Sequence, residues 1–205
     1  MSLKVYHASP TRSVRVVWAL EELGLPYEKV ALNFDRAYLK SPEWRAISPT
    51  GKAPVVHENG KPLIESVAII HYLSEKYAEG KLSRRPLDAD YGEFLQWMHF
   101  GEAGVGPYAG MLIGQTRILP PEQRIEAMKQ WSIMEAKNAC NFIETSLEGR
   151  DYILGEDFSL ADISLGYILF LIKLSGEAEN ILGARTKLYL DRLTAREAWK
   201  KATAR

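Results

Sequence analysis

The hydrophobic period changes once along this chain, near residue 88, and that change limits the fold more than any single motif. Up to about residue 80, strand-like and helix-like segments alternate. LKVYHA is a short apolar strand. Val14 to Leu23 carries Val16, Val17, Leu20 and Leu23 on one helical face and is closed by Gly24 and Pro26. YEKVALN alternates like a second strand, and KSPEWRAISPTG is turn-rich with room for a short helix. APVVHENGKPLIES reads as two strands around Asn59-Gly60, a strong hairpin signal, and Ser66 to Tyr77 is helical again. The order β-α-β-α-β-β-α predicts a small mixed sheet: a parallel pair from the β-α-β start and an antiparallel pair from the hairpin. From residue 88 the strand signal is gone. Asp90–Ala103, Pro121–Leu147, Ser159–Ser175 and Thr186–Ala204 all have helical periodicity. The chain therefore divides into an α/β domain (1–80), a linker (81–87, within AEGKLSRRPLDA) and an all-helical domain (88–205).

Several function classes are excluded by composition. Lysine plus arginine number 26, as do aspartate plus glutamate, so no basic excess exists for nucleic acid. The basic clusters KLSRRP and AREAWKKATAR are short and read as solvated surface. A lone cysteine, Cys140, rules out an internal disulfide, and the four histidines have no metal-ligand spacing. No metal is expected. ISLGYILFLI is too short to span a membrane and reads as a buried helix, and MSLKVYHAS has no signal-peptide run. A cytoplasmic protein is expected.

Four stretches carry local chemistry. In SPTGKAPVV, Pro54 stands at the start of a strand, where a missing ladder donor is tolerated. A cis Ala53–Pro54 bond there would turn the Ala53 amide and carbonyl outward, toward a peptide-like ligand. In PLIESVAIIHYL, Glu65-Ser66 lies at a strand-to-helix junction. The Ser66 hydroxyl and first-turn amides either cap the helix or receive a carboxylate, which the helix dipole favours. The opening turn, HASPTRS, crowds Ser9, Thr11 and Ser13 at the start of a helix. The fourth stretch, EDFSLADISLGY, is structural: Ser159 and Asp162 form an S-x-x-D capping box.

Strand–SPTRSVRVVWALEELGLPYE, SPEWRAISPTGKAPVV, GKPLIESVAIIHYLSEKY and FSLADISLG, in this order, make the chain resemble the cytosolic glutathione transferase superfamily along nearly its whole length. It is most similar to bacterial and fungal Ser/Thr-type members whose first helix reads R-V-x-W-x-L-E-E. The resemblance implies a thioredoxin-like N-terminal domain, an all-helical C-terminal domain, usually a homodimer, and glutathione as co-substrate for detoxification of a small hydrophobic electrophile. Ser48-Pro49 departs from the family's frequent Asn-Pro.

The same resemblance assigns candidate roles. Thr11, Ser13 or Ser9 would donate to the glutathione sulfur, the first two ranking equally. Counted back from Arg15, Thr11 falls where theta-like enzymes place their serine, Arg12 where beta-like enzymes place their cysteine, and Ser9 one residue too far out for the tau and phi serine. Arg12 is a candidate second, cationic stabiliser. No cysteine stands in the turn, so glutaredoxin-type disulfide chemistry has no nucleophile. Lys52, Ala53, Pro54, Glu65 and Ser66 would bind glutathione, Lys52 at its glycyl carboxylate. Tyr6 reads as a packed strand residue. In the helical domain, Phe100, Tyr108 and Met111 offer apolar surface for the electrophile, with neighbouring glycines leaving room. The leading expectation is conjugation of the glutathione thiolate. Ether cleavage, isomerisation or peroxide reduction on the same fold, and a non-catalytic scaffold, are the alternatives.

Overall fold

The computed structural model describes residues 2–32, 35 and 37–204. By its internal contacts the chain divides into two compact units, Met1–Ser83 with Arg196–Arg205, and Arg84–Ala195.

The first unit is a four-stranded mixed sheet in the order β2-β1-β3-β4. Strand β1 (Leu3–His7) pairs parallel with β2 (Glu28–Ala31) and antiparallel with β3 (Val55–Glu58), which forms a hairpin with β4 (Lys61–Leu63). Asn59 and Gly60 both adopt positive φ, 47° and 84°, as an Asn-Gly hairpin turn requires. Asn33, the last residue of the expected second strand, lies outside the described residues. Strand β1 alternates strictly: Leu3, Val5 and His7 are buried on one face, with Lys4 and Tyr6 half-buried on the other. Helices α1 (Ser13–Leu23) and α3 (Ser66–Tyr77) pack together. Tyr6 faces the short helix α2 (Pro42–Ile47), its ring meeting Trp44 edge-on with centroids 5.8 Å apart. Helix α1 ends as its glycine foretold. Gly24 sits at φ 69°, and the Leu25 amide returns to the Leu20 carbonyl at 3.0 Å.

The second unit is all-helical. Helix α4 (Tyr91–His99) runs through a π-helical turn (Phe100–Val105) into α5 (Gly106–Ile113), then through a second such turn (Gly114–Ile118). Helices α6 (Glu126–Ser146), α7 (Leu160–Ser175), α8 (Ala178–Ile181) and α9 (Ala184–Thr194) follow. Helix α7 is buried almost all round. The capping box at its start is formed, and the buried Asp162 carboxylate also accepts from the Ile153 amide at 2.9 Å and the Tyr189 hydroxyl at 2.7 Å.

Two expectations need correction. The segment Thr186–Ala204 is not one helix: Arg196 is extended, and α10 (Glu197–Thr203) is separate from α9. Nor do the last ten residues belong with the helical domain placed at 88–205. Arg196–Arg205 groups with the first unit, because α10 packs on α1. Trp199 meets Trp18 edge-on with centroids 4.9 Å apart, and Arg196 grips Glu22 through Nε and Nη2 at 2.6 and 2.8 Å.

Candidate active site

The opening turn lies between β1 and α1 and is wound tightly on itself. The Ser9–Pro10 bond is cis, and the Thr11 amide bonds the Ala8 carbonyl at 2.8 Å. Helix α1 begins one residue earlier than its apolar period indicated, so Ser13 is its first residue and Arg12, half-buried, occupies the cap position without a side-chain cap bond.

Ser13 is fully buried, and its oxygen is committed within the protein. It accepts from the Ala8 amide at 3.1 Å and lies 2.8 Å from both His7 Nδ1 and Thr11 Oγ1. Ser13 is therefore neither the helix cap nor a hydroxyl with a face toward a ligand, which corrects its equal ranking with Thr11. Sequence spacing could not show this, since burial depends on the sheet packed beneath the turn. Thr11 is half-buried and also accepts weakly from the Ser13 amide, at 3.3 Å. Ser9 is half-buried too, and its hydroxyl has no hydrogen-bond partner among the described residues. His7, named in no motif, closes the cluster from the end of β1. Burial holds its ring below the ordinary histidine pKa and Lys29 adds to that, against the hydrogen bond with Ser13, so it is neutral at pH 7.

The Ala53–Pro54 bond is cis, as anticipated. Ala53 is half-buried, and neither its amide nor its carbonyl has a hydrogen-bond partner among the described residues. Pro54 is buried, and Lys52 beside Ala53 is exposed. Glu65 is exposed at the mouth of α3 with φ 69° and ψ 99°, a conformation costing a non-glycine residue about 1–3 kcal/mol. Such strain concentrates at ligand clamps, and the sequence carried no sign of it. Ser66 is buried as the first residue of α3. Its Oγ accepts from Nη1 of Arg15 at 3.2 Å. Arg15 is fully buried, and it ties the first turn of α1 to the first turn of α3. Its role follows from no motif in the sequence. A lone charge inside V-R-V-V-W was the available signal.

The residues proposed for an apolar wall lie in the second unit, all half-buried. The Phe100 ring packs against Trp97 and Phe142, with centroids 5.4 and 5.5 Å away. Tyr108 packs on Trp131 at 5.4 Å. Trp131 and Phe142 stand on one helix, about 16 Å apart along its axis at 1.5 Å per residue. The two rings thus pack on different aromatic partners of α6. Met111 shares α5 with Tyr108.

Cys140 is buried in α6, which pushes its thiol up to about 12 and leaves it un-ionised at neutral pH. Among the described residues no group of His, Cys, Asp or Glu is placed to hold a metal, and no helix is long and apolar enough to cross a membrane.

A thioredoxin-like sheet and an all-helical unit, with hydroxyls at the N-termini of α1 and α3, define the class of this protein. Comparison with known proteins agrees. Residues 1–75 match the glutathione S-transferase N-terminal domain and residues 122–192 the C-terminal domain. Glutathione S-transferase 3 of Schizosaccharomyces pombe is 32% identical over 181 residues, which is 81% of this chain and 72% of that protein. A glutathione S-transferase-like protein, gedE, of Aspergillus terreus is 30% identical, covering 98% of this chain and 94% of its own. The structure of a glutathione transferase from Burkholderia graminis, with two glutathione molecules bound per subunit, superposes with a TM-score of 0.85 at 31% identity over 98% of this chain and 87% of that one. The chain belongs to the glutathione S-transferase family and is a glutathione transferase.

Proposed function

We propose that this enzyme adds the glutathione thiolate to small apolar electrophiles, with Thr11 donating a hydrogen bond to the sulfur. The observation that carries the assignment is the contrast within the turn: Ser13 is sealed, whereas Thr11 is half-exposed at the N-terminus of α1. A free thiol of pKa about 8.5 is only a few per cent ionised at pH 7. Lowering it by about two units needs roughly 2.7 kcal/mol of preferential anion stabilisation. One hydrogen bond to the charged form contributes about 1.5–3 kcal/mol, and the positive end of an eleven-residue helix adds about 0.3–1. No general base is required.

In this reading the Ala53 backbone pairs with the peptide part of glutathione, Glu65 and Ser66 hold its γ-glutamyl end, and Lys52 meets the glycyl carboxylate. The Ala53 amide and carbonyl, unpaired among the described residues, and the strained Glu65 support that division. The Burkholderia graminis relative binds glutathione, which supports the choice of co-substrate. Phe100, Tyr108 and Met111 are the apolar residues offered to the electrophile, and a cytoplasmic homodimer completes the reading.

The test is a thiolate absorbance titration of bound glutathione on Ser9→Ala, Thr11→Ala and Ser13→Ala, beside turnover with an electrophile panel. Thr11→Ala raises the thiol pKa and lowers kcat while glutathione affinity stays nearly unchanged. Ser13→Ala instead lowers stability by about 1–3 kcal/mol, because the Ala8 amide is left unpaired. A pKa shift in Ser9→Ala alone would transfer the role to Ser9, and none in any variant would refute the hydroxyl mechanism.

A further inference from the structure

We propose that His7 is a positioning residue: its Nδ1–H fixes the direction of the Ser13–Thr11 hydrogen-bond chain so that the Thr11 proton points out of the turn, toward the substrate sulfur. This rests on the reading of Thr11 as the sulfur donor.

Protons and lone pairs in the turn limit how these groups can bond. A hydroxyl has one proton and two acceptor sites. One acceptor site of Ser13 Oγ is taken by the Ala8 amide at 3.1 Å, leaving one site and one proton for its two neighbours at 2.8 Å, His7 Nδ1 and Thr11 Oγ1, with the Ala8 carbonyl a longer alternative acceptor of that proton at 3.3 Å. Only two consistent arrangements use both contacts. In the first, His7 Nδ1–H donates to Ser13, Ser13 donates to Thr11, and Thr11 also accepts from the Ser13 amide at 3.3 Å. Both acceptor sites of Thr11 are then filled from inside, so its own proton must leave the turn. In the second, Nδ1 is bare, Ser13 donates to it, and Thr11 donates inward to Ser13. The Thr11 proton is then consumed within the turn and is lost to a ligand.

The other ring nitrogen decides between them. His7 Nε2 is buried without a hydrogen-bond partner among the described residues. The first arrangement leaves a bare lone pair there, the second an orphaned N–H. Among backbone groups, buried N–H donors are orphaned more rarely than acceptors are left under-satisfied, and we carry the same asymmetry to the ring. The ring is neutral, so the two tautomers are the choices open to it. The structure thus favours the Nδ1–H tautomer and an outward-pointing Thr11.

The test has a direct and an indirect arm. On the parent protein labelled with 15N-histidine, long-range proton–nitrogen correlation reads the His7 tautomer, the signal being assigned by its loss in His7→Asn. Nδ1–H is expected, and an Nε2–H tautomer would overturn the proposal whatever the second arm returns. In the second arm, the thiol pKa of bound glutathione is measured for His7→Phe, His7→Asn and Thr11→Val, with a thermal melt of each. His7→Phe cannot donate, so the Ser13 proton is released to the Ala8 carbonyl at 3.3 Å, the Thr11 proton turns inward, and the thiol pKa rises by about one unit, roughly a tenfold fall in its ionisation constant. His7→Asn keeps an N–H donor at the same branch and retains the parent value. If Thr11→Val raises the pKa and His7→Phe does not, His7 only packs and this proposal alone fails. If Thr11→Val leaves the pKa unchanged, the assignment of Thr11 fails and takes this proposal with it.

Discussion

A guanidinium with no exposed surface needs acceptors around it, and Arg15 takes one of them from Ser66. That bond has a consequence for Ser66 itself. With a lone pair occupied by Arg15, its hydroxyl proton is available to a carboxylate, and the α3 dipole draws the same anion. Ser66→Ala is therefore expected to weaken glutathione binding by about 1–3 kcal/mol, roughly 5- to 150-fold in Kd by calorimetry. An unchanged Kd in a folded variant would remove Ser66 from the site. At this scale the sequence exposed identities but not environments. Thr11, Ala53, Glu65 and Ser66 were nameable because turns, strand ends and helix starts leave local signatures. The burial of Ser13 and Arg15, the partnership of His7 and the positive φ of Glu65 follow from contacts between distant segments, which no local pattern encodes.

Between elements, the hairpin and α3 are tied by one carboxylate. Glu58, at the end of β3, accepts from the hydroxyls of Tyr72 and Tyr77 and pairs with Lys76 at 2.9 Å. The Tyr77 hydroxyl, then Lys76 and Tyr72, hold its carboxyl at about 2. A carboxylate depressed on folding contributes stability above its unfolded pKa, and that contribution is lost as pH falls toward the folded value. The parent should thus lose this contribution between about pH 4.5 and pH 2, and Glu58→Gln should lack that part of the acid slope. Urea midpoints at pH 7, 4 and 3 measure the difference, and parallel slopes would count against it. Neither the tie nor the breaks in the later helices were legible. The hairpin was, because Asn-Gly demands positive φ whatever surrounds it. The π-helical turns and the break at Arg196 were not: TAREAW contains neither glycine nor proline, and Arg196 leaves the helix where it pairs with Glu22, a residue far off in sequence.

Over the whole chain, the change of period near residue 88 identified two kinds of architecture but misassigned the last ten residues. Periodicity reports that a segment is helical and amphipathic; it does not report which core receives the apolar face. For α10 that core is the first unit, whose α1 it covers. Trp199 is 4% exposed with its ring against Trp18, and Arg196 and Lys201 pair with Glu22 and Glu21 on the same helix. The ion pairs are partly exposed and contribute little, so the aromatic contact should dominate. Trp199→Ala is expected to cost about 3–5 kcal/mol. A double-mutant cycle with Trp18→Ala should return a coupling of about 0.5–1.5 kcal/mol, the part specific to the edge-on pair. Because α1 carries the Thr11 turn at its other end, a chain ending at Ala195 should lose glutathione binding as well as stability. Urea unfolding and calorimetry on these variants provide the check. If the truncated chain unfolds at the parent midpoint and binds glutathione with the parent Kd, α10 is dispensable to the first unit.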